Sequence, residues 1–324
     1  MRHLISGANG FLGSWLARRL ASRSDTVRCL IRAGSDASAL DGVDFERATG
    51  DVTQGESLAA ALEGVDVVFH LAGVRRAATR DGFMRVNADG TRLMCEQMVR
   101  AGTRRLVLCG SLAASGPSAQ GRPRLESDPL RPEEWYGESK AEAERIAFSF
   151  KDKLEVTSCR PSRIVGPGDR ENLGFFKIAK KGIVLRLGGP ERLLSMVDVE
   201  DVVTLLVLQA DRKEAVGEAF FGSSNETTTL EGLMRMIAEV LQVQPRTVPL
   251  PQAMLQWLGS GADLVAQLTG RKLPLSRKLA RQLLAPGWTC SIEKAQRVLG
   301  YRPKVSLRES AQRSADGYRA AGWL

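Results

Sequence analysis

The chain has 324 residues, 43% hydrophobic and 26% charged, with a formal net charge of +9. Such a composition belongs to a globular protein with a sizeable core, and it excludes disordered chains, fibrous repeats and small disulfide scaffolds. Arginine and lysine are interleaved with acids along most of the chain, so the charge reads as solvated surface and no nucleic-acid partner is expected.

The first 160 residues alternate short apolar runs with amphipathic stretches. Strands are expected at 3–6, 27–31, 67–71, 106–109 and 156–160, each short, apolar and bounded by turn or polar residues. Helices are expected between them at 11–22, 57–62, 87–101 and 136–150. This alternation predicts an α/β fold, a doubly wound parallel sheet of the Rossmann kind.

Directly after the first strand comes Gly7-Ala8-Asn9-Gly10-Phe11-Leu12-Gly13, opening into the first helix. Glycines there allow a tight turn and a close approach of backbone to a pyrophosphate, whose charge meets the positive end of the helix dipole. Gly7, Asn9, Gly10, Phe11, Leu12 and Gly13 are therefore candidate dinucleotide ligands. The second strand ends in Arg32, with no acid before Asp36. A cation at this place accepts a ribose 2′-phosphate, which favours NADP(H) and leaves NAD(H) as the alternative; an Arg at a strand end also occurs simply as surface.

Further along, Asp51 and Val52 follow the third strand, where Asp51 is suited to accept from an adenine amino group. Leu71, Ala72 and Gly73 close the fourth strand with small residues suited to the adenosine half. Ser111 stands just beyond the fifth strand, at the carboxyl edge where ligands gather in open parallel sheets. Tyr136 and Lys140 are four apart at the start of a helix, hence on one face. A phenol is a poor acid at neutral pH unless a cation stabilises its phenolate, and Lys140 is that cation. A strand-end serine and a Tyr-x-x-x-Lys together supply an oxygen anchor, a proton donor and a positive charge, the requirements of hydride transfer to a carbonyl.

This ordered series resembles the short-chain dehydrogenase/reductases of the extended type, over nearly the whole chain. Asn87 with Gly90-Thr91, Arg160-Pro161, Gly166-Pro167-Gly168, Val197 to Val202 and the stretch from Lys294 to Pro303 add to the match. The resemblance implies that Tyr136 protonates the carbonyl oxygen, Lys140 holds the nicotinamide ribose and Ser111 bonds the reacting oxygen. It also implies a structural or cofactor-side role for Asn87, a place near the nicotinamide for Ser162, and a homodimer through helices 87–101 and 136–150. Ser115, before Gly116, departs from the Tyr that many members carry there.

Arg32 and the apolar C-terminal part look most like the dihydroflavonol reductase and 3β-hydroxysteroid dehydrogenase branch. The expected activity is ketone/alcohol interconversion on a moderately apolar small molecule. Nucleotide-sugar epimerisation or dehydration with tightly held NAD is one alternative, and a non-catalytic dinucleotide sensor another. The division expected is 1–165, mainly a dinucleotide-binding domain, and 166–324, mainly a substrate lobe, with excursions to the sheet around 190–222. Helices in the lobe are expected at 230–241, 254–268 and 307–321.

Five widely spaced cysteines, an odd number mostly in apolar runs, fit reduced thiols in a cytoplasmic protein. Two histidines and no cysteine pair at ligand spacing argue against a metal site. The glycine loop begins within seven residues of the start, so no signal peptide is expected. No integral membrane segment is expected, the longest apolar stretch being broken by Asp198, Glu200 and Asp201. The basic stretch 271–281 beside apolar 254–268 leaves a peripheral membrane contact open.

Overall fold

The computed structural model describes residues 1–255, 257 and 277–324. Most of the helix expected at 254–268 and most of the basic stretch 271–281 therefore lie outside the described residues. Six strands come from the first half: β1 (Arg2–Ser6), β2 (Thr26–Ile31), β3 (Glu46–Thr49), β4 (Val67–His70), β5 (Arg105–Cys109) and β6 (Glu155–Pro161). The second half adds β7 (Arg163–Val165), β8 (Ile183–Leu187), β9 (Leu194–Asp198), β10 (Ala219–Gly222), β11 (Thr227–Thr228) and β12 (Arg246–Leu250).

Seven of these form one parallel sheet in the order β10-β6-β5-β4-β1-β2-β3. Successive strand residues point to opposite faces, and each face has its own core. Ile5, Cys29, Phe69, Val107 and Phe221 meet helices Phe11–Ala21 and Val199–Asp211, with Ile292, Leu299 and Tyr301 packed alongside. Leu4, Leu30, Val68, Leu106 and Val156 meet Leu58, Leu62, Met94, Met98 and Ala147 on the other side. Burial on both faces explains why these strands read as continuous apolar runs. The strand order reverses between β1 and β4, and ligands in such sheets bind in the crevice beyond that point.

The lobe holds two small sheets, β11-β9-β7 and β12-β8. Helices Leu173–Lys180, Leu230–Val240 and Leu307–Ala320 enclose a core that includes Val165, Phe176, Met196, Ile237, Ala311 and Tyr318. One expected helix is built differently. Instead of a uniform run over 87–101, a short α-turn Arg80–Phe83 passes into a π-turn Met84–Asp89 before the regular helix Gly90–Ala101. The wide turn coincides with two constraints: the Asn87 amide is held by Val74 and Ser139, and a Cβ at Gly90 would stand 3.1 Å from the Val52 side chain. The helix expected at 57–62 likewise begins as a 3₁₀ turn, Gly55–Leu58, and continues as Ala59–Leu62.

All five cysteines are free. Among the described residues no helix is long and apolar enough to cross a membrane.

Candidate active site

Helix Phe11–Ala21 starts from Gly10 with no side-chain cap and no acid in its first turn, which leaves its positive end open. The backbone in front of it is compressed to a degree only glycine tolerates. Gly7 has φ +74°, and a Cβ there would lie 2.8 Å from Ala72 N; a Cβ on Gly13 would lie 2.2 Å from Gly7 O. A cradle that would be filled by any Cβ, at an uncapped helix start, fits the pyrophosphate of a dinucleotide. Asn9 Nδ2 donates to Asp36 O at 2.7 Å, so its side chain anchors the loop after β2. Arg32 stands exposed just past that strand.

Asp51 Oδ1 accepts from Thr53 N at 2.9 Å and Thr53 Oγ1 at 2.8 Å. Although burial opposes it, these bonds and the charge of Arg32 hold the Asp51 carboxyl below its ordinary range. Val52 is buried beside it.

The end of β4 is organised by a buried chain of hydrogen bonds. Thr91 Oγ1 donates to Asn87 O at 2.7 Å and is therefore the acceptor for His70 Nε2 at 3.1 Å. His70 Nδ1 is left to accept from Ser6 Oγ at 2.7 Å, and Ser6 Oγ accepts from Ala72 N at 3.2 Å. Burial drives the imidazole pKa down to about 3, with the Lys140 charge adding to it, so His70 is neutral. Asn87 braces the next loop: Oδ1 accepts from Val74 N at 2.8 Å, and Nδ2 donates to Val74 O at 3.0 Å and Ser139 Oγ at 2.8 Å. Both amide donors of Asn87 are engaged within the protein.

Ser111 caps the short helix Leu112–Ser115, its Oγ accepting from Ala113 N at 3.1 Å. Helix Trp135–Ser149 presents Tyr136 and Lys140 on the same side. A Cβ on Gly137 would fall 2.3 Å from Ala113 O, so this glycine lets the Tyr136 helix press directly onto the turn that carries Ser111. The Tyr136 ring meets Phe83 edge-on at 6.4 Å, and the Arg75 guanidinium lies 5.9 Å from its centroid. Lys140 is buried. Beneath the helix, Glu144 is paired with Arg160, whose Nε donates at 2.9 Å, and accepts from Ser158 Oγ at 2.8 Å.

A cavity of about 600 Å³ runs along this edge of the sheet. It brings together Gly7, Gly10, Phe11, Leu12, Gly13, Leu71, Gly73, Ser111, Tyr136, Lys140 and Ser162. Asn9, Arg32, Asp51, Val52, Ala72 and Asn87 do not border it. Ser162 donates to Ser223 Oγ at 3.2 Å. Ser115 is fully buried, its hydroxyl without a partner among the described residues, and its own carbonyl accepts from Arg124. Sequence reasoning missed Arg75, Cys109, Glu134, Arg163, Phe175, Gln282 and Trp288 in the wall. Arg75, Cys109, Glu134 and Arg163 carried a signal, each standing within two residues of an expected site residue, Gly73, Ser111, Tyr136 and Ser162; Phe175, Gln282 and Trp288 reach the cavity only through folding of the lobe.

A seven-stranded parallel sheet with a glycine cradle at its switch point, opening on a serine, a tyrosine and a lysine, defines a dinucleotide-dependent oxidoreductase. The chain belongs to the NAD dependent epimerase/dehydratase family, whose model matches residues 3–220, and thus to the extended short-chain dehydrogenase/reductases. It is 32% identical over 321 residues to ceramide reductase of Caulobacter vibrioides, covering 99% of this chain and 95% of that protein. Sterol demethylase protein B of Methylococcus capsulatus is 30% identical over 339 residues, with both chains fully covered. The crystal structure of gox2253 superposes with a TM-score of 0.85 at 28% identity, covering 99% of each chain. The chain is an enzyme of this family, in which relatives are named as dehydrogenases and reductases, and not a mere sensor.

Proposed function

We propose that the enzyme interconverts a ketone and a secondary alcohol on a moderately apolar small molecule, chiefly as an NADPH-dependent reductase. The observation that carries this reading is the meeting of Ser111, Tyr136 and Lys140 in one cavity that has the glycine cradle at one end and Phe175, Leu187, Leu194, Leu230 and Trp288 in its walls. When bound, the reduced nicotinamide supplies the hydride to the carbonyl carbon and is oxidised. Ser111 Oγ donates a hydrogen bond to the carbonyl oxygen, and Tyr136 Oη gives that oxygen its proton. Lys140 stabilises the phenolate left behind and the nicotinamide ribose, and water returns the proton to Tyr136.

The cradle from Gly7 to Gly13 holds the pyrophosphate, Asp51 and Leu71 to Gly73 the adenosine half, and Ser162 the nicotinamide side. Arg32 pairs with the 2′-phosphate, the reason for preferring NADP(H). The relatives named for ceramide and sterol support an apolar substrate. The cytoplasm and a homodimer built on helices Gly90–Ala101 and Trp135–Ser149 complete the proposal.

In the test, Tyr136→Phe lowers kcat by about 100-fold or more while the NADPH dissociation constant stays put. Arg32→Ala serves as the cofactor control, weakening NADPH by about tenfold and leaving NADH unmoved. Full turnover by the phenylalanine variant would assign the proton to another group. Stoichiometric NAD(H) retained through purification would favour nucleotide-sugar epimerisation instead.

A further inference from the structure

Among the described residues four arginines border the cavity, and they are not equivalent. Arg186 is neutralised by two bonds to Glu231, at 2.7 and 2.9 Å. Arg192 donates to the carbonyls of Gly188, Pro190 and Leu284. Arg75 and Arg163 have no carboxylate within ion-pair distance among the described residues. The nearby acids are spoken for: Glu171 pairs with Arg76 at 3.2 Å, and Asp169 accepts from Glu171 N, Asn172 N and Asn172 Nδ2. Asn172 Oδ1 in turn takes Arg163 Nη1 at 3.0 Å, a neutral acceptor for a charged donor. Phe175 lies 5.9 Å from the Arg163 guanidinium.

Burial, and after it the charge of Arg75, pulls Arg163 below the usual guanidinium range, although the charges of Asp169 and Glu171 oppose this. Two like charges drawn together in a partly dry wall are unfavourable unless an anion sits between or beside them. The Arg75 guanidinium also lies 5.9 Å from the centroid of the Tyr136 ring, so an anion held by it would sit on the Tyr136 side of the cavity. A guanidinium fork matches the two oxygens of a carboxylate or phosphate.

We propose that Arg75 and Arg163 form a subsite for an anionic oxyacid group carried by the substrate near its carbonyl, the rest of the molecule being apolar. This rests on the ketone/alcohol reading and narrows it: the substrate is an oxo acid or oxoalkyl phosphate with a hydrocarbon body, rather than a neutral ketone. The apolar body lies along Phe175, Leu187, Leu194 and Leu230.

The decisive experiment compares a medium-chain 3-oxo acid, its methyl ester and a matching oxoalkyl phosphate, following oxidation of NADPH by the full-length enzyme. The acid or the phosphate is expected to exceed the ester in kcat/KM by about tenfold or more, the worth of one or two charge-assisted hydrogen bonds. The two anions tell carboxylate from phosphate. Arg75→Gln and Arg163→Gln are each expected to collapse that preference, and Arg163→Lys to restore part of it. Arg75 is exposed, so its variant is read even where a change at Arg163 disturbs folding.

An ester used as well as both anions overturns the proposal. So does an NADPH dissociation constant that rises in step with the lost preference in both variants, because the anion served would then be the cofactor's own phosphate. If none of the three compounds is turned over, the ketone reading fails, and calorimetric titration of the enzyme–NADP⁺ complex still decides the subsite. Equal or weaker binding of the acid than of the ester overturns it there too.

Discussion

His70 is 1% exposed, and both of its ring nitrogens are committed, one to Ser6 and one to Thr91. It stays neutral in the folded chain down to about pH 3, whereas the unfolded chain takes up a proton below its ordinary value of 6.5. The stabilisation it lends is complete above pH 6.5 and falls as pH drops toward 3, by about 1.4 kcal/mol per unit. Between pH 6.5 and 5 that amounts to about 2 kcal/mol. Urea unfolding at several pH values is expected to show this slope in the wild type and a shallower one in His70→Asn; parallel slopes would sink the assignment. At this scale the sequence was most legible where chemistry needs a short spacing. Tyr136 and Lys140 meet because four residues make about one helical turn. Arg75 and Arg163 were not legible as a pair, because 88 positions separate them and they come to one wall only where the parallel sheet lines up the ends of β4 and β6.

Among the elements, helix Trp135–Ser149 has to hold two catalytic candidates at a fixed height above the sheet. Three ties do this: Ser139 to Asn87, the close contact at Gly137, and the buried pair Glu144–Arg160 with Ser158. Removing one partner of a buried ion pair strands the other charge, at a cost of about 3–5 kcal/mol. Glu144→Ala is therefore expected to lower the unfolding free energy by that amount, and adding Arg160→Met to recover part of it. A loss under about 1 kcal/mol would show that the pair is not the clamp described. The central strands were legible as elements because burial on both faces leaves short, largely apolar runs, as in β4 and β5. β3, at the sheet edge, alternates half-buried and exposed residues and carries no such run. The π-turn at Met84–Asp89 was hidden, since its cause lies in partners from other segments, Val74, Ser139 and Val52.

For the whole molecule, β10 pairs with β6 in the main sheet although it follows the lobe's first strands in sequence. Ile292, Ala295, Leu299 and Tyr301 join the same core as Ile5 and Leu16, and Tyr301 Oη donates to Ser223 O at 3.1 Å. A fragment ending at residue 165 would keep the cradle and the catalytic candidates yet bare the β6 edge and the part of one sheet face that helix Val199–Asp211 covers. It is expected to aggregate more than the full chain, as sedimentation of the two expressed side by side would show; a fragment as well folded and as little sedimented as the full chain would refute this. The lobe was the least legible part, because its two small sheets and its cavity wall draw on segments that carry no shared period or motif.

The placing of β10 also sets a timetable during synthesis. As the chain leaves the ribosome, β6 emerges some sixty residues ahead of the strand that covers it, which at typical elongation rates is a wait of several seconds. Every residue of β6 from Val156 to Pro161 ends up buried. For that interval the nascent protein exposes an unpaired strand edge, the kind of surface that recruits chaperones or neighbouring chains.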